Sequence, residues 1–322
     1  MTMSMNDGDV SKHFRFGGEE LVIDKETDDV VYNDEKHIYV GKSGLVQDKK
    51  FISVTTLIGL FENKFDGDFW SKYKALEALV GADQFSSVKK KLLDKKIWDD
   101  SYYLNFGISP EDFESKCEEV KSGWKDTNKE ACEHGTRVHA KQENTFYMNP
   151  QKMIDKFNVG NKFKVNKNYH KLDLERAIYP EILLSSVSKD GLLRIAGQSD
   201  LLIKDGNHIK IWDWKTNKEL KMESYYDKKK GSHEMMKYPL NNIQDCNYMH
   251  YTLQLSLYAW MVQKMNPNFI IDELRIVHFT HDGQVNEYVL DYRKEDIIRM
   301  LKYYKKQLVL QDLEERNKPV IF

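Results

Sequence analysis

A predicted β-hairpin between residues 192 and 216 constrains the fold of this chain more than any other feature of its sequence. Two runs rich in Leu and Ile flank Asp205-Gly206-Asn207, a sequence typical of a tight turn. Antiparallel pairing about this turn places Ile203 opposite Lys210. The pattern therefore predicts two neighbouring strands in a fixed register, and with them a sheet.

The same register brings charged side chains together on one face of the hairpin. It places Asp200 opposite Asp213, and Lys215, two residues further along, shares their face. Two carboxylates among apolar neighbours need compensation, which a divalent cation such as Mg²⁺ or Mn²⁺ supplies. Such an ion can activate water for phosphodiester hydrolysis, with Lys215 stabilising charge on the phosphate. A salt-bridge ladder on a solvated sheet face is the alternative, and the hairpin alone does not decide between them.

Composition adds limits rather than a function. The 322 residues carry 49 basic and 51 acidic side chains, so any contact with nucleic acid must come from a local cluster. Three cysteines without a CxxC pair are one short of the usual four thiolates, so no iron–sulfur cluster is expected. No apolar run is typical of a signal peptide or a membrane span, which favours a soluble cytoplasmic protein without a membrane partner.

The periodicity of the chain predicts an α/β fold, with a small mixed sheet flanked by helices and preceded by an extension of short strands and helices. We expect a polar tail over residues 1–17, the N-terminal extension over 18–125 and the core over 126–322. Helices are predicted after an N-cap at Ser53, within 70–120, and over 128–146, 248–265 and 295–313. Further strands are predicted over 178–187, 273–280 and 285–290, and a mobile loop over 217–245.

Five short motifs occur in an order that is more specific than any one of them. They are Gly135-Thr136-x-x-His139-x-x-x-Glu143, Pro180-Glu181, Gly197-x-x-Asp200, Asp213-x-Lys215-Thr216 and Gln254-x-x-x-Tyr258. This series resembles the RecB-like exonuclease branch of the PD-(D/E)XK nucleases, and two N-terminal runs, 37–40 and 52–57, are similar to phage members. The resemblance implies a restriction-endonuclease-like core. Ser199 stands where the family name has proline, and Asp213 is the shorter of the two permitted carboxylates.

The resemblance also implies roles for individual residues. His139, Asp200 and Asp213 would bind the metal, Lys215 would be the catalytic lysine, Gln254 and Tyr258 would join the site from a helix, and Glu143 and Glu181 would be accessory acidic groups. Glu143 is equally a group that supports the metal ligands or an i,i+4 helix partner, and the alternative for Gln254 and Tyr258 is that they border a buried stripe of α-helical side chains.

The function predicted from these features is metal-dependent cleavage of DNA. An exonuclease acting on duplex ends or single strands, in replication, recombination or repair, is favoured by the resemblance. The alternatives are a structure-specific or restriction-type endonuclease, a non-catalytic DNA-binding protein and a nuclease that acts on RNA. Lys228, Lys229 and Lys230 are candidates for DNA-backbone contact, or are simply a solvated run. Residues 54–125 are a candidate cover that limits access to threaded strands.

Overall fold

The computed structural model describes residues 12–156, 163–165 and 172–317. The strands are β1 His13–Phe16, β2 Glu19–Val22, β3 Lys25–Glu26, β4 Val30–Asn33, β5 Ile38–Gly41, β6 Lys50–Ser53, β7 Lys164–Val165, β8 Arg176–Val187, β9 Arg194–Asp205, β10 His208–Lys215, β11 Tyr226–Asp227, β12 Ser232–His233, β13 Ile270–Phe279 and β14 Val285–Leu290. The helices are α1 Val54–Gly59, α2 Gly67–Lys95, α3 Ser101–Leu104, α4 Pro110–Met148, α5 Pro150–Lys156, α6 Asn247–Met265 and α7 Lys294–Arg316.

The chain forms two compact units, one from residues 1–62 and 138–322 and the other from residues 63–137. This division differs from the predicted boundaries, since the strands before α1 belong to the same unit as the later ones. Residues 1–11 of the predicted polar tail lie outside the described residues, and β1, which pairs with β2, occupies most of its remainder.

A mixed sheet forms the first unit, which confirms the predicted fold class. Its strand order is β14-β13-β10-β9-β6-β5-β4-β3, and β8 lies on the other edge of β9, followed by β7. Parallel pairs join β10 to β13, β6 to β9 and β7 to β8, and the other pairs are antiparallel. The sheet contains ten strands among the described residues, more than the small sheet predicted, because β3 to β6 extend it.

Two strands, β10 and β6, pair with the same edge of β9. Its C-terminal part pairs with β10 from Asp205 to Leu201, with Ile203 opposite Lys210 as predicted. Its N-terminal part pairs with β6 at Ile195 and Ala196. Residues 197–200 therefore lie in a gap on this edge of β9, between the end of β6 and the end of β10. Among the described residues, the backbone of β9 has no strand partner on this edge within the gap.

The two faces of the sheet are covered by different helices. On one face, Ile209 and Ile211 of β10 belong to a buried cluster with Leu253 and Leu257 of α6. On the other face, the tryptophans of β10 pack with Phe146 of α4 and with α5. The alternation follows the two-residue period of a strand, and each fully buried Leu or Ile contributes about 1.5–3 kcal/mol relative to exposure.

The second unit, residues 63–137, is helical and has an aromatic core. Tyr103 and Phe113 stack with ring centroids 4.3 Å apart, and Tyr73 meets Phe85 edge to face at 4.8 Å. These contacts show that aromatic side chains of this segment serve packing. The predicted helix 128–146 is the C-terminal part of the much longer α4.

The segment 217–245, predicted as a mobile loop, contains the short antiparallel hairpin β11–β12. Within the described part of the chain, no helix combines the length and apolar character needed to cross a membrane.

Candidate active site

Three side chains from three elements offer ligand atoms to one point. His139 comes from α4, Glu181 from β8 and Asp200 from β9, and their candidate ligand atoms all lie within 4.8 Å of one another. His139 Nδ1 is 3.3 Å from Asp200 Oδ1 and 3.7 Å from Glu181 Oε1. One imidazole nitrogen and two carboxylate oxygens fit a divalent ion such as Mg²⁺ or Mn²⁺. We call these three residues the acidic cluster.

A local irregularity of β8 accompanies the position of Glu181. The pairs Pro180–Leu201 and Ile182–Ser199 flank it, so Glu181 stands opposite Asp200 where the ladder is interrupted. Its φ of 48° lies in the left-handed region, which costs a residue with a side chain about 1–3 kcal/mol. From this conformation the carboxylate of Glu181 reaches the side chains of His139 and Asp200.

The acidic cluster has a strongly negative potential. Burial raises the pKa of Asp200 to about 6, and the nearby carboxylate of Asp213 adds to the rise. Burial opposes protonation of His139, but Asp200 and Glu181 outweigh it and raise the pKa of the imidazole to about 11. The backbone N–H of Trp214 donates to Asp200 Oδ2 at 2.6 Å, which fixes that carboxylate. This potential attracts cations, as a metal site requires.

Asp213 and Lys215 form a buried ion pair that Gln254 of α6 completes. Lys215 Nζ lies 2.5 Å from Asp213 Oδ2 and donates to Gln254 Oε1 at 3.1 Å. Gln254 Nε2 in turn donates to Asp213 Oδ1 at 3.0 Å. Burial acts to lower the pKa of Lys215, but Asp213 and Asp200 outweigh it, so the pKa is raised and the side chain stays charged. The site therefore holds a fixed ammonium next to the acidic cluster.

One face of α6 carries the other groups of this site. Tyr251, Gln254 and Tyr258 follow at spacings of three and four, which places them on one side of a helix. The ring centroid of Tyr251 lies 4.3 Å from Lys215 Nζ, a cation–π contact. Burial raises the pKa of Tyr258 well above its usual value, so its hydroxyl stays protonated. The sequence reasoning missed Tyr251, although its spacing from Gln254 was an available signal.

The close approach of α6 to β9 requires a glycine. A Cβ atom at Gly197 would lie 2.9 Å from Tyr258 Cε1 and 3.0 Å from Val54 Cγ2. Real side chains essentially never come this close, so only glycine leaves room for the Tyr258 ring. This gives a physical reason for Gly197 in the motif Gly197-x-x-Asp200.

The remaining predicted residues lie close to the site or on another element. Glu143 of α4 is half-buried, with a raised pKa caused first by burial, and is not part of the acidic cluster. Asp213, predicted as a metal ligand, pairs with Lys215, while Glu181 completes the cluster. The role of Asp213 as a metal ligand stays a prediction.

The three lysines 228–230 occupy the turn of the hairpin β11–β12, which is not one of the elements that carry the groups described above. Asp227 Oδ1 accepts from the backbone N–H groups of Lys229 and Lys230, so the turn has a defined geometry. The structure thus presents them on an ordered element of their own.

One of three comparisons with known proteins identifies a family for this chain. The family model of the PD-(D/E)XK nuclease superfamily matches residues 109–316. The crystal structure of SSO0001 is similar at 16% identity and a TM-score of 0.33, covering 82% of this chain and 78% of that one. A "Putative exonuclease" from Eubacterium rectale is similar at 11% identity and a TM-score of 0.30, covering 80% of each chain. No curated protein matches the sequence. The match to the family model spans most of the chain, which therefore belongs to the PD-(D/E)XK nuclease superfamily.

Proposed function

We propose that this chain is a metal-dependent deoxyribonuclease of the RecB-like branch, and that it acts as an exonuclease on DNA ends or single strands. The observation that carries the proposal is the buried ammonium of Lys215, held between Asp213 and Gln254 beside the acidic cluster. Several carboxylates are costly to bury together unless cations balance their charge, and among the described residues Lys215 pairs with only one of them, Asp213. Superfamily membership, with its divalent-metal chemistry, supports the same reaction class.

The reaction that suits this geometry is hydrolysis of a phosphodiester bond. His139, Glu181 and Asp200 would hold a divalent ion, which would supply Lewis acidity toward the phosphate and lower the pKa of bound water. Lys215 is held by two acceptors, so its ammonium can meet charge that develops on the phosphate without reorganising. Tyr251 lies against Lys215 and restricts the ammonium to this position. Gln254 links the lysine to Asp213 and thus couples α6 to the reacting centre.

We also propose that the β11–β12 hairpin contacts the DNA backbone. The three lysines 228–230 are exposed on its turn, and Tyr225, 68% exposed, precedes β11. Lysines bind phosphates independently of sequence, and exposed aromatic rings stack on unpaired bases. Replacing the three lysines by glutamine should weaken DNA binding. It should also make the slope of log K against log[salt] shallower, by the amount expected for the loss of up to about three phosphate contacts. An unchanged salt dependence contradicts this part of the proposal.

Digestion of end-labelled linear DNA and of covalently closed circles, with Mg²⁺ or Mn²⁺, tests the proposed activity. Loss of the linear substrate, with survival of the circles and with no cleavage by a Lys215→Ala variant, supports an exonuclease. Cleavage of circles points instead to an endonuclease on the same fold. No cleavage of any DNA contradicts the proposed function and leaves a binding protein or a nuclease that acts on RNA.

A further inference from the structure

Lys25 reaches the active site from a part of the chain that the superfamily match does not include. It lies on β3, whereas the match begins at residue 109. Its Nζ donates to Gln198 Oε1 at 2.7 Å and to the backbone carbonyl of Glu181 at 3.4 Å. Only 15% of its side chain is exposed, although lysine is rarely buried to this extent. A buried ammonium at this place needs an explanation.

The second contact of Lys25 explains part of its position. Its Nζ lies 3.8 Å from Glu143 Oε1, a carboxylate whose side chain is 25% exposed. Glu143 is close enough to Glu181 for the two charges to repel each other. The ammonium of Lys25 therefore balances a negative charge that would otherwise add to the acidic cluster.

The third contact concerns the strained residue of the cluster. Glu181 has a φ of 48° at the interruption of the β8–β9 ladder, so its backbone lacks the pairing that fixes its neighbours. Lys25 donates to the carbonyl oxygen of Glu181 and to Gln198, which stands on β9 two residues before Asp200. One side chain thus links the two strands that present Glu181 and Asp200.

We propose that Lys25 is a positioning residue of the metal site. It holds the backbone of Glu181 in the conformation that directs the carboxylate toward His139 and Asp200, and it neutralises Glu143. The inference rests on the proposed function, because it assigns a metal to the acidic cluster. It also gives the N-terminal strands a role in the site, since β3 is held in the sheet by β4.

Direct contact between Lys25 and DNA is the competing reading, and the geometry argues against it. An ammonium has three protons to donate. At least three oxygen atoms lie close to the ammonium of Lys25, those of Gln198, Glu181 and Glu143, and little of the side chain is exposed. A phosphate would have to displace one of these partners in order to bind.

Titration calorimetry with Mn²⁺ on the full chain, without DNA, tests the proposal. Lys25→Met should weaken Mn²⁺ binding about 10- to 100-fold, as loss of an outer-shell partner of a metal site typically does. Lys25→Arg, which keeps the charge and the donors, should recover most of the affinity. The matched control is Lys42→Met, which removes an exposed lysine that follows β5 and pairs with Glu26 of β3, and it should leave Mn²⁺ binding unchanged. Equal Mn²⁺ affinity of wild type and Lys25→Met overturns the proposal.

Kinetics separate a positioning role from contact with DNA. Under the proposal, Lys25→Met lowers kcat at limiting Mn²⁺, high Mn²⁺ restores most of it, and KM for DNA stays unchanged. A raised KM for DNA with unchanged Mn²⁺ affinity shows instead that the lysine binds substrate, which overturns the proposal.

A double variant keeps the test decisive if Lys25→Met folds poorly. Adding Glu143→Gln removes the charge that Lys25 neutralises, so the double variant should lose less Mn²⁺ affinity than the sum of the two single losses. Strictly additive losses overturn the claim that the pair acts together.

Because calorimetry needs no DNA, Mn²⁺ binding without cleavage refutes the proposed function and leaves the role of Lys25 supported. Binding that does not depend on His139 refutes the metal site and this inference with it.

Discussion

The variant Gly197→Ala should reveal how closely α6 must approach β9. An added Cβ would meet the Tyr258 ring at 2.9 Å and the Val54 methyl at 3.0 Å, where ordinary contacts begin near 3.4 Å. Both neighbours are buried, with 3% and 1% exposure, so neither can move away cheaply. Overpacking of this kind costs about 1–3 kcal/mol, and the gain of alanine over glycine in a strand offsets about 0.5–1 kcal/mol. We expect a net loss of about 1–2 kcal/mol in the free energy of unfolding.

The same substitution should reduce activity, because it pushes Tyr258 and with it the helix that carries Gln254. The contacts of Gln254 with Lys215 and Asp213 are already 3.1 and 3.0 Å long, so a small shift weakens both. Misplacement of about 1 Å can lower a rate about 100-fold. Urea unfolding and single-turnover cleavage of end-labelled DNA measure the two effects.

Two other glycines provide matched controls. A Cβ at Gly59, the last residue of α1, or at Gly123 in α4 meets nothing within 4 Å. Gly123→Ala should stabilise its helix by about 0.5–1 kcal/mol, because glycine is a poor helix former. If Gly197→Ala is as stable and as active as these controls, the close approach of α6 does not hold the site together and our reading of the motif is wrong.

The remaining predictions concern the charged groups of the site. Lys215→Met should abolish cleavage and cost about 3–5 kcal/mol of stability by leaving Asp213 buried without its partner, and adding Asp213→Asn should recover part of that stability in urea unfolding. Tyr251→Phe should keep most of the cleavage rate, since the ring face remains over Lys215, whereas Tyr251→Leu should lower it; equal rates would show that the cation–π contact is incidental. Protons compete with the metal for His139, whose pKa is raised to about 11, so Mn²⁺ affinity should rise about tenfold per pH unit between pH 7 and 9. Below pH 6, protonation of Asp200 should make Mn²⁺ affinity depend more steeply on pH. If calorimetry shows no pH dependence of Mn²⁺ affinity, His139 and Asp200 are not the ligands.

Local patterns of the sequence were sufficient for the register of the central hairpin. The turn at residues 205–207 and the two-residue period correctly placed Ile203 opposite Lys210. The N-cap at Ser53 was also predicted, and its side chain accepts from the backbone N–H of Thr56 at the start of α1. The predicted helix over 248–265 matches α6 within one residue. Each of these features depends on contacts between residues that are close in sequence.

Features that depend on distant contacts were not predicted. The parallel pairing of β6 with β9 joins Ile52 to Ile195, and no periodicity of either segment specifies that partner. The contact of Lys25 with Glu181 likewise spans 156 residues. The positive φ of Glu181 coincides with the interruption of the β8–β9 ladder, and no local sequence preference predicts it. The motif order predicted a set of candidate site residues, but it could not predict which of their side chains contact one another, because they come from distant segments.

The most direct test of the central claim compares wild type with Lys215→Met in Mn²⁺-dependent cleavage, with Mn²⁺ binding measured on the same samples. A matched control is Lys264→Met, which removes an exposed lysine near the C-terminal end of α6. We predict that all three proteins bind Mn²⁺ and that wild type and the control cleave DNA, while the Lys215 variant does not. Cleavage by the Lys215→Met variant at the wild-type rate would contradict the account, because the buried ammonium would then have no part in the reaction.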